Sequence, residues 1–337
     1  MATTPSAFFK DSGAPEAVSY ALKNGAKSFT KLYQGTASAD QFVGTKGNDI
    51  FVLGAGDKIK SSGGGYDAVV TDQSFNIGGT GIDAVKLTGT TNASVTGDNA
   101  DNNLFGNAGA NTIKGQAGED VVAGGAGNDQ LYGGADEDTV LGGSGDDKVY
   151  GDSGEDLVRG GEGNDSVYGG SDDDKVYGDA GNDMVYGDAG NDKVYGDAGN
   201  DSVYGGSGND SVYGGADDDK VYGDAGNDKL FGGTGDDILT GGSGNDTIVG
   251  DKGSNTFLGG SGRDVFEIAK QTGEIDTIRD FRAGQDVIDL SDTSANSMRD
   301  LKFAADKDGT IITVKGGVQI KLVGFDPDEI KSSFFDF

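Results

Sequence analysis

Residues 187–195 read Gly-Asp-Ala-Gly-Asn-Asp-Lys-Val-Tyr, and residues 205–213 read Gly-Gly-Ser-Gly-Asn-Asp-Ser-Val-Tyr. These are two of nineteen nine-residue units that follow one another without insertion or deletion from residue 97 to residue 267. A flexible linker has no need to keep an aliphatic residue and a carboxylate at fixed positions over so many units. A strict period of this kind predicts a solenoid, in which each repeat adds one layer to a continuous core.

The composition excludes several classes of function. The chain has 64 Gly, 3 Pro, no Cys, no His and a formal net charge of -31, which is otherwise typical of disordered chains. Without Cys or His it has no disulfides, no thiolate or zinc-histidine sites and no Ser-His-Asp triad. Its charge opposes binding to nucleic acid or to anionic lipid, and no stretch approaches the ~20 apolar residues of a membrane span.

The eighth position of the unit is apolar in every copy, from Leu104 to Phe266, whereas the seventh and ninth are mostly polar or Tyr. This alternation predicts a three-residue strand, with the other six residues forming a Gly-rich turn. Two strands and two turns make an eighteen-residue coil. We therefore predict an all-β fold in which two parallel sheets enclose the eighth-position side chains, with a core too thin to be stable unaided.

The sixth position predicts what supplies the missing stability. In an eighteen-residue coil the turns of units n and n+2 lie over one another, so their carboxylates repel unless a cation lies between them. Carboxylates and Gly-rich carbonyls with no nitrogen or sulfur donor favour Ca2+. The predicted metal ligands are the sixth-position aspartates: Asp120, Asp129, Asp138, Asp147, Asp156, Asp165, Asp174, Asp183, Asp192, Asp201, Asp210, Asp219, Asp228, Asp237, Asp246 and Asp264.

The remaining three units have Asn at the sixth position, namely Asn102, Asn111 and Asn255, which weakens the sites near the ends. Pairing nineteen turns in this way gives up to about 17 Ca2+ ions, whose charge nearly cancels that of the chain. Other aspartates replace Gly at the second or fourth position, and they are either further ligands or solvated charge: Asp136, Asp152, Asp172, Asp179, Asp188, Asp197, Asp217, Asp224 and Asp251.

The nonapeptide resembles the Gly-Gly-x-Gly-x-Asp-x-U-x repeat of RTX proteins. Residues 276–291, Asp-Thr-Ile-Arg-Asp-Phe-Arg-Ala-Gly-Gln-Asp-Val-Ile-Asp-Leu-Ser, also resemble the segment that closes the roll in serralysin-type RTX proteins. The resemblance implies a right-handed parallel β-roll around Ca2+ and secretion by a type I exporter. It further implies that the aromatic and acidic ending, 333–337, belongs to an uncleaved C-terminal secretion signal.

Four segments follow from these patterns. Residues 1–43 are a cap or docking segment with a short amphipathic helix at 15–24, and residues 44–96 are irregular solenoid coils. Residues 97–267 are the regular roll, and residues 268–337 are a β-rich cap with the secretion signal. In the last segment we predict a hairpin that turns at 315–317 and a helical turn capped at Asp326 and Pro327.

The expected function is structural rather than enzymatic. The chain has no N-terminal signal peptide, and the residues before the repeats are too few for a catalytic domain. We expect an extracellular protein that folds on Ca2+ and self-associates in a surface layer, filament or biofilm matrix. The alternatives are an adhesin for glycan or cell surface, or an accessory module of a secreted enzyme or toxin. Ice or mineral binding and Ca2+ storage fit less well.

The ninth position predicts outward-facing aromatic ladders. One sheet has Tyr at 132, 150, 168, 186, 204 and 222, and the other has Tyr at 177, 195 and 213 followed by Phe231. Residues one coil apart lie side by side, so their rings are expected to stack. The ladders serve either to stabilise the sheets or as a contact surface for another copy, a glycan or a cell wall.

Overall fold

The computed structural model describes residues 29–270 and 273–337. The predicted helix at 15–24 therefore lies outside the described residues. The chain divides into two compact units between Ser171 and Asp172, inside the regular repeats. In both units the described residues form a parallel β-solenoid, and their only helices are short 3-10 turns. None of these helices is long and apolar enough to cross a membrane.

The first unit contains sixteen strands among its described residues. They are β1 (Lys31–Gln34), β2 (Gln41–Val43), β3 (Asp49–Leu53), β4 (Lys58–Ser61), β5 (Ala68–Thr71), β6 (Phe75–Asn76), β7 (Ala84–Leu87), β8 (Ser94–Thr96), β9 (Asn103–Phe105), β10 (Thr112–Ala117), β11 (Val121–Ala126), β12 (Gln130–Ala135), β13 (Thr139–Ser144), β14 (Lys148–Ser153), β15 (Leu157–Glu162) and β16 (Ser166–Ser171).

The second unit continues the same pattern and ends in an irregular region. Its strands are β17 (Lys175–Ala180), β18 (Met184–Ala189), β19 (Lys193–Ala198), β20 (Ser202–Ser207), β21 (Ser211–Ala216), β22 (Lys220–Ala225), β23 (Lys229–Thr234), β24 (Ile238–Ser243), β25 (Thr247–Lys252), β26 (Thr256–Ser261), β27 (Val265–Glu267), β28 (Ile275–Ile278), β29 (Val287–Asp289), β30 (Leu301–Asp306), β31 (Gly309–Val314), β32 (Gln319–Val323) and β33 (Phe335–Asp336), with 3-10 turns η1 (Met298–Asp300), η2 (Pro327–Glu329) and η3 (Ser332–Phe334).

Alternate strands pair with one another, as the eighteen-residue coil predicts. In the first unit β9, β11, β13 and β15 follow one another in one sheet, and β8, β10, β12, β14 and β16 in the other. The register is eighteen residues, so that Val140 pairs with Val158 and, in the second unit, Val194 pairs with Val212. The predicted parallel solenoid is confirmed.

The core consists of the eighth-position side chains. All nineteen are fully buried, from Leu104 through the valines to Phe266. Valine suits this position because its β-branched side chain packs well between two pleated sheets. The core is one side chain deep on each sheet, so hydrophobic burial per coil is small for a chain of this length.

The strands are longer than predicted. Strands β10 to β26 each have six residues rather than three, and each runs through the first-position Gly to the third position of the next unit, whereas β9 and β27 have three residues. Pairing skips that Gly, since Tyr195 pairs with Tyr213 and Asp197 with Gly215. The prediction of a six-residue turn was wrong because Gly lets the chain bend while the residues on both sides stay paired; only three residues remain as the turn.

The coils outside the regular repeats have variable length. Ala68 pairs with Ala84 and Ala84 with Asn103, which gives spacings of sixteen and nineteen residues. At the C-terminal end, β31 and β32 form the predicted antiparallel hairpin, and β30 adds a third strand to it. The predicted helical turn is η2, and the Glu329 carboxylate accepts the Asp326 N–H at 2.9 Å.

Candidate metal sites in the turns

The sixth-position aspartates form columns in which each carboxylate reaches back to the preceding coil. Oδ1 of Asp138 accepts the backbone N–H of Asp120 at 2.7 Å, and Oδ1 of Asp210 accepts that of Asp192 at 2.8 Å. All sixteen predicted aspartates are buried, with at most 3% of their surface exposed. The structure thus brings the predicted residues together one coil apart, as expected from the eighteen-residue register.

The second carboxylate oxygen of these residues points into the turn. It is buried and has no hydrogen-bond partner in eleven of them: Asp120, Asp129, Asp138, Asp147, Asp192, Asp201, Asp210, Asp219, Asp228, Asp237 and Asp246. A buried carboxylate oxygen without a donor or cation is costly, and native proteins rarely keep one. Its repetition in turn after turn indicates that a ligand of positive charge completes each site.

Glycine at the first position keeps the space beside this oxygen open. A Cβ on Gly205 would lie 2.6 Å from Oδ2 of Asp210 and 2.8 Å from the carbonyl oxygen of Gly223. A Cβ on Gly214 would meet the equivalent pair of oxygens at 2.6 Å each. A carboxylate oxygen of one coil and a carbonyl oxygen of the next therefore border one small space that any side chain would fill.

Burial raises the pKa of these carboxyl groups far above their ordinary value of 3.8. The pKa rises to about 6 for Asp210, to about 7 for Asp192 and Asp201, and to about 8 for Asp219. Desolvation is the main cause. The backbone hydrogen bond to Oδ1 opposes it, and the charge of neighbouring aspartates adds to it in each case. The columns therefore resist carrying their full negative charge unless a cation compensates it.

The donor set fits Ca2+. Within residues 29–270 and 273–337, no three acidic, His or Cys side chains converge as a metal-binding group. Backbone carbonyl oxygens of the Gly-rich turns, such as that of Gly223 beside Asp210, lie next to the carboxylates as further oxygen donors. Oxygen-only sites of this kind suit a hard cation with flexible coordination, which is Ca2+ rather than Mg2+. Bound Ca2+ would supply the positive charge that the unpartnered carboxylate oxygens need.

Asp264 differs from the eleven aspartates whose second carboxylate oxygen has no partner. Its Oδ2 lies 3.3 Å from Nη2 of Arg282, so a side chain of this chain supplies the positive charge there. Asn255 also differs, because its Nδ2 donates to Oδ1 of Asp276 at 3.1 Å. The weakening of the Ca2+ site at Asn255 stays a prediction.

Further buried or half-buried aspartates outside the predicted set of ligands extend the columns. Asp49, Asp67 and Asp83 extend one column at its start, where Oδ1 of Asp67 accepts the N–H of Asp49 at 2.8 Å. Asp276 and Asp286 extend the two columns at their end. Two signals could have found them: the degenerate repeats at 44–52 and 78–86, and the C-terminal motif at 276–291.

The fifth position forms a second, exposed ladder that leans the other way. Oδ1 of Asn191 accepts the backbone N–H of Asn209 at 3.0 Å, and Oδ1 of Asn209 accepts that of Asn227 at 2.9 Å. The side-chain amides also bond along the column, since Nδ2 of Asn227 donates to Oδ1 of Asn209 at 3.0 Å. This ladder is satisfied by the protein alone, in contrast to the sixth-position column.

The aspartates that replace Gly in the turns adopt the backbone conformation of Gly. All nine have a positive φ between 64° and 83°. Asp tolerates this left-handed region better than most residues, because its short side chain can bond locally. One of them also bonds to the preceding coil, since Oδ2 of Asp136 accepts the N–H of Gly118 at 3.1 Å.

The predicted aromatic ladders are stacked within each unit. Ring centroids of Tyr186 and Tyr204, and of Tyr204 and Tyr222, are 4.7 Å apart, and the rings are within 6° of parallel. In the first unit, Nζ of Lys114 lies 5.1 Å from the ring centroid of Tyr132, at the start of the ladder. Because neighbouring rings cover one another's faces, the edges and hydroxyl groups remain as the outer surface.

Comparison with known proteins identifies the repeat. The family model of the RTX calcium-binding nonapeptide repeat matches more than half of the chain, at residues 34–67, 96–131, 124–158, 132–167, 150–185, 159–194, 168–203, 195–230 and 231–266. No curated protein sequence matches the chain.

Among solved structures, a subunit of the mannuronan C5-epimerase from Azotobacter vinelandii is 25% identical, with a TM-score of 0.21; the match covers 40% of this chain and 80% of that one. The extracellular lipase LipA from Serratia marcescens is 14% identical, with a TM-score of 0.19. That match covers 80% of this chain and 45% of the lipase chain.

Proposed function

The chain belongs to the RTX calcium-binding repeat family, and from this premise we propose that it is a secreted structural protein whose roll folds when Ca2+ enters its turns outside the cell. The ions occupy the turns lined by Asp120 to Asp246, between a carboxylate and the carbonyls of adjacent coils. A type I exporter passes the chain while it is unfolded, and the C-terminal segment carries the signal. The protein has no catalytic role.

The unpartnered carboxylate oxygens carry this proposal. Without a cation, each coil adds buried negative charge to a column, and burial opposes that charge, as the raised pKa of Asp219 indicates. The thin valine core cannot compensate for it. Because Ca2+ is scarce in cytosol and abundant outside, the same chain remains exportable inside and folds outside.

Circular dichroism of the full chain in the presence of EGTA, Mg2+ or Ca2+ tests the proposal. We expect a coil spectrum in EGTA and in Mg2+, and a β spectrum in millimolar Ca2+. A chain that is fully β-folded in EGTA at neutral pH would contradict it. A chain that folds equally well in Mg2+ would contradict the assignment of the sites to Ca2+.

We propose that the folded protein self-associates into an extracellular layer, filament or matrix. In the second unit, one sheet presents the exposed side chains of Met184 and Ile238 beside the ladder of Tyr186, Tyr204 and Tyr222. Apolar side chains and aromatic edges on one regular face suit contact with a second copy. Contact requires bound Ca2+, because the uncompensated net charge of -31 keeps copies apart.

The stacked rings favour this occupant over a glycan. Sugars bind aromatic residues by packing on the ring face, and the faces of this ladder are covered by neighbouring rings. The double variant Met184→Lys with Ile238→Lys tests the face, with Ser211→Lys and Thr247→Lys on the opposite sheet as the matched control. Sedimentation and negative-stain microscopy in Ca2+ should show loss of assembly only in the first variant; assemblies of equal size in both would refute the proposed face.

A further inference from the structure

The guanidinium group of Arg282 lies in the turn of Asp264. Its Nη2 lies 3.3 Å from Oδ2 of Asp264 and donates to the carbonyl oxygen of Gly262 at 3.2 Å. Its Nε lies 3.8 Å from Oδ2 of Asp286. The guanidinium group thus lies between two carboxylates that are almost completely buried, while about a third of its own side chain is exposed.

The preceding turn of the same column provides the comparison. Asp246 has the same place in its unit, and its N–H bonds to Oδ1 of Asp264 at 3.1 Å, but its Oδ2 is buried with no partner. Oδ2 of the sixth residue and the carbonyl of the fourth are therefore the oxygens that Arg282 contacts in the last turn. In the preceding turn Oδ2 has no partner in the protein.

We propose that Arg282 is a tethered cation that takes the place of Ca2+ in the turn of Asp264. This inference rests on the proposed Ca2+ sites and refines them: the column that contains Asp246 and Asp264 binds an ion at Asp246 but none at Asp264. The sequence-based assignment of Asp264 as a Ca2+ ligand is replaced by an ion pair within the chain.

Two features hold Arg282 in place. Its backbone N–H donates to Oδ2 of Asp286 at 2.6 Å, which fixes the start of the side chain beside the column. A guanidinium group stays charged at any physiological pH and presents several donors in one plane, so one side chain can serve a carboxylate and a carbonyl together. Hydrated Ca2+ would have to displace a permanent charge that the fold already positions.

The other column ends in a related way. Asn255 stands where an aspartate would, its Oδ1 accepts the N–H of Asp237 at 3.0 Å, and its Nδ2 donates to Asp276. Here the neutral amide of Asn255 donates to the carboxylate, in the place where a cation would otherwise bind. The last repeat turn of each column is therefore completed by a donor from the chain itself, which distinguishes these two turns from the proposed Ca2+ sites before them.

Native mass spectrometry of the full chain in Ca2+ tests the proposal, because it counts whole ions. Asp246→Asn and Asp264→Asn form a matched pair with the same chemical change one coil apart. We expect Asp246→Asn to lose one bound Ca2+ relative to the unchanged protein and Asp264→Asn to lose none. Equal losses in both variants would overturn the proposal.

Arg282→Gln provides the opposite test, since it removes the charge but keeps a long polar side chain. We expect it to gain one bound Ca2+, whereas Arg282→Lys, which keeps a charge, and the exposed Arg299→Gln keep the original count. If Arg282→Gln misfolds, the aspartate pair still decides the question. An unchanged protein that binds no Ca2+ would contradict the proposed function itself, whereas a normal count with equal losses in the pair contradicts only the role of Arg282.

Discussion

Replacing Asp210 by Asn should change stability in opposite directions with and without Ca2+. The substitution keeps an oxygen to accept the Asp192 N–H, a bond of 2.8 Å, but it removes the negative charge and replaces the unpartnered Oδ2 by an amide. Without Ca2+ the variant loses a buried, uncompensated charge and should be more ordered. With Ca2+ it loses a charged ligand and should be less stable.

The magnitude without Ca2+ follows from the pKa of Asp210. Burial raises this pKa from 3.8 to about 6, which corresponds to about 3 kcal/mol against the charged form. Because the folded pKa is the higher one, the folded state binds more protons between these values, and the penalty is complete above pH 6 and absent below pH 4. At pH 8 the substitution should therefore remove about 3 kcal/mol of destabilisation from the metal-free roll.

Circular dichroism in EGTA and urea denaturation in saturating Ca2+ measure the two effects, with Asp218→Asn as the control. Asp218 is an exposed fifth-position residue whose Oδ1 accepts the Asp236 N–H, so the control makes the same charge change outside the column. We expect Asp210→Asn to show more β structure than the control in EGTA and a lower urea midpoint in Ca2+. Equal behaviour of the two variants would refute the reasoning that burial of Oδ2 creates the requirement for Ca2+.

Three further predictions concern pH, turn space and the core. In Ca2+-free buffer, circular dichroism should show more β structure at pH 5 than at pH 8. Burial raises the pKa of Asp219 to about 8 in the folded state, so the folded state binds more protons than the unfolded chain. The stability that this proton binding provides is lost as pH rises. Gly205→Ala should weaken Ca2+ binding in isothermal titration, since its Cβ would lie 2.6 Å from the carboxylate oxygen of Asp210; unchanged binding would show that this space is not part of the site. Val203→Ala should lower stability in Ca2+ by roughly 2 kcal/mol in urea denaturation because the buried core has only one side chain per strand, and a change near zero would argue against that thin core.

The sequence predicted the regular coils because one period determines both register and burial. Once Val194 and Val212 are eighteen residues apart in identical units, parallel pairing places them side by side, and the buried aspartates at 192 and 210 follow. The stacked tyrosines are predictable for the same reason. In this part of the chain, every coil has the same local sequence pattern, so its structure can be predicted without knowledge of contacts between distant residues.

The other features of the fold and of the candidate sites depend on contacts that the nine-residue repeat does not predict. The three-residue strand was wrong because the alternation of side chains ends at Gly196, whereas backbone pairing resumes at Asp197. Asp286 lies twenty-two residues after Asp264, which breaks the count of nine, and Arg282 enters the turn from a segment that has no equivalent in the repeats. The position of Arg282 beside Asp264 can be recognised only from the three-dimensional arrangement of the coil that follows the last repeat.

The fifth-position and sixth-position ladders explain why Ca2+ is expected to stabilise the roll but is not needed to set the register of its strands. Oδ1 of Asn209 reaches forward to the N–H of Asn227, whereas Oδ1 of Asp228 reaches back to the N–H of Asp210. Both backbone donors of the turn are therefore bonded to side chains before any metal arrives, and they fix the eighteen-residue spacing. In the turns of Asp210 and Asp228, Oδ2 of the sixth residue remains unpartnered. Calcium thus removes a charge penalty at one defined oxygen per turn, while the directional bonds that specify the fold belong to the chain.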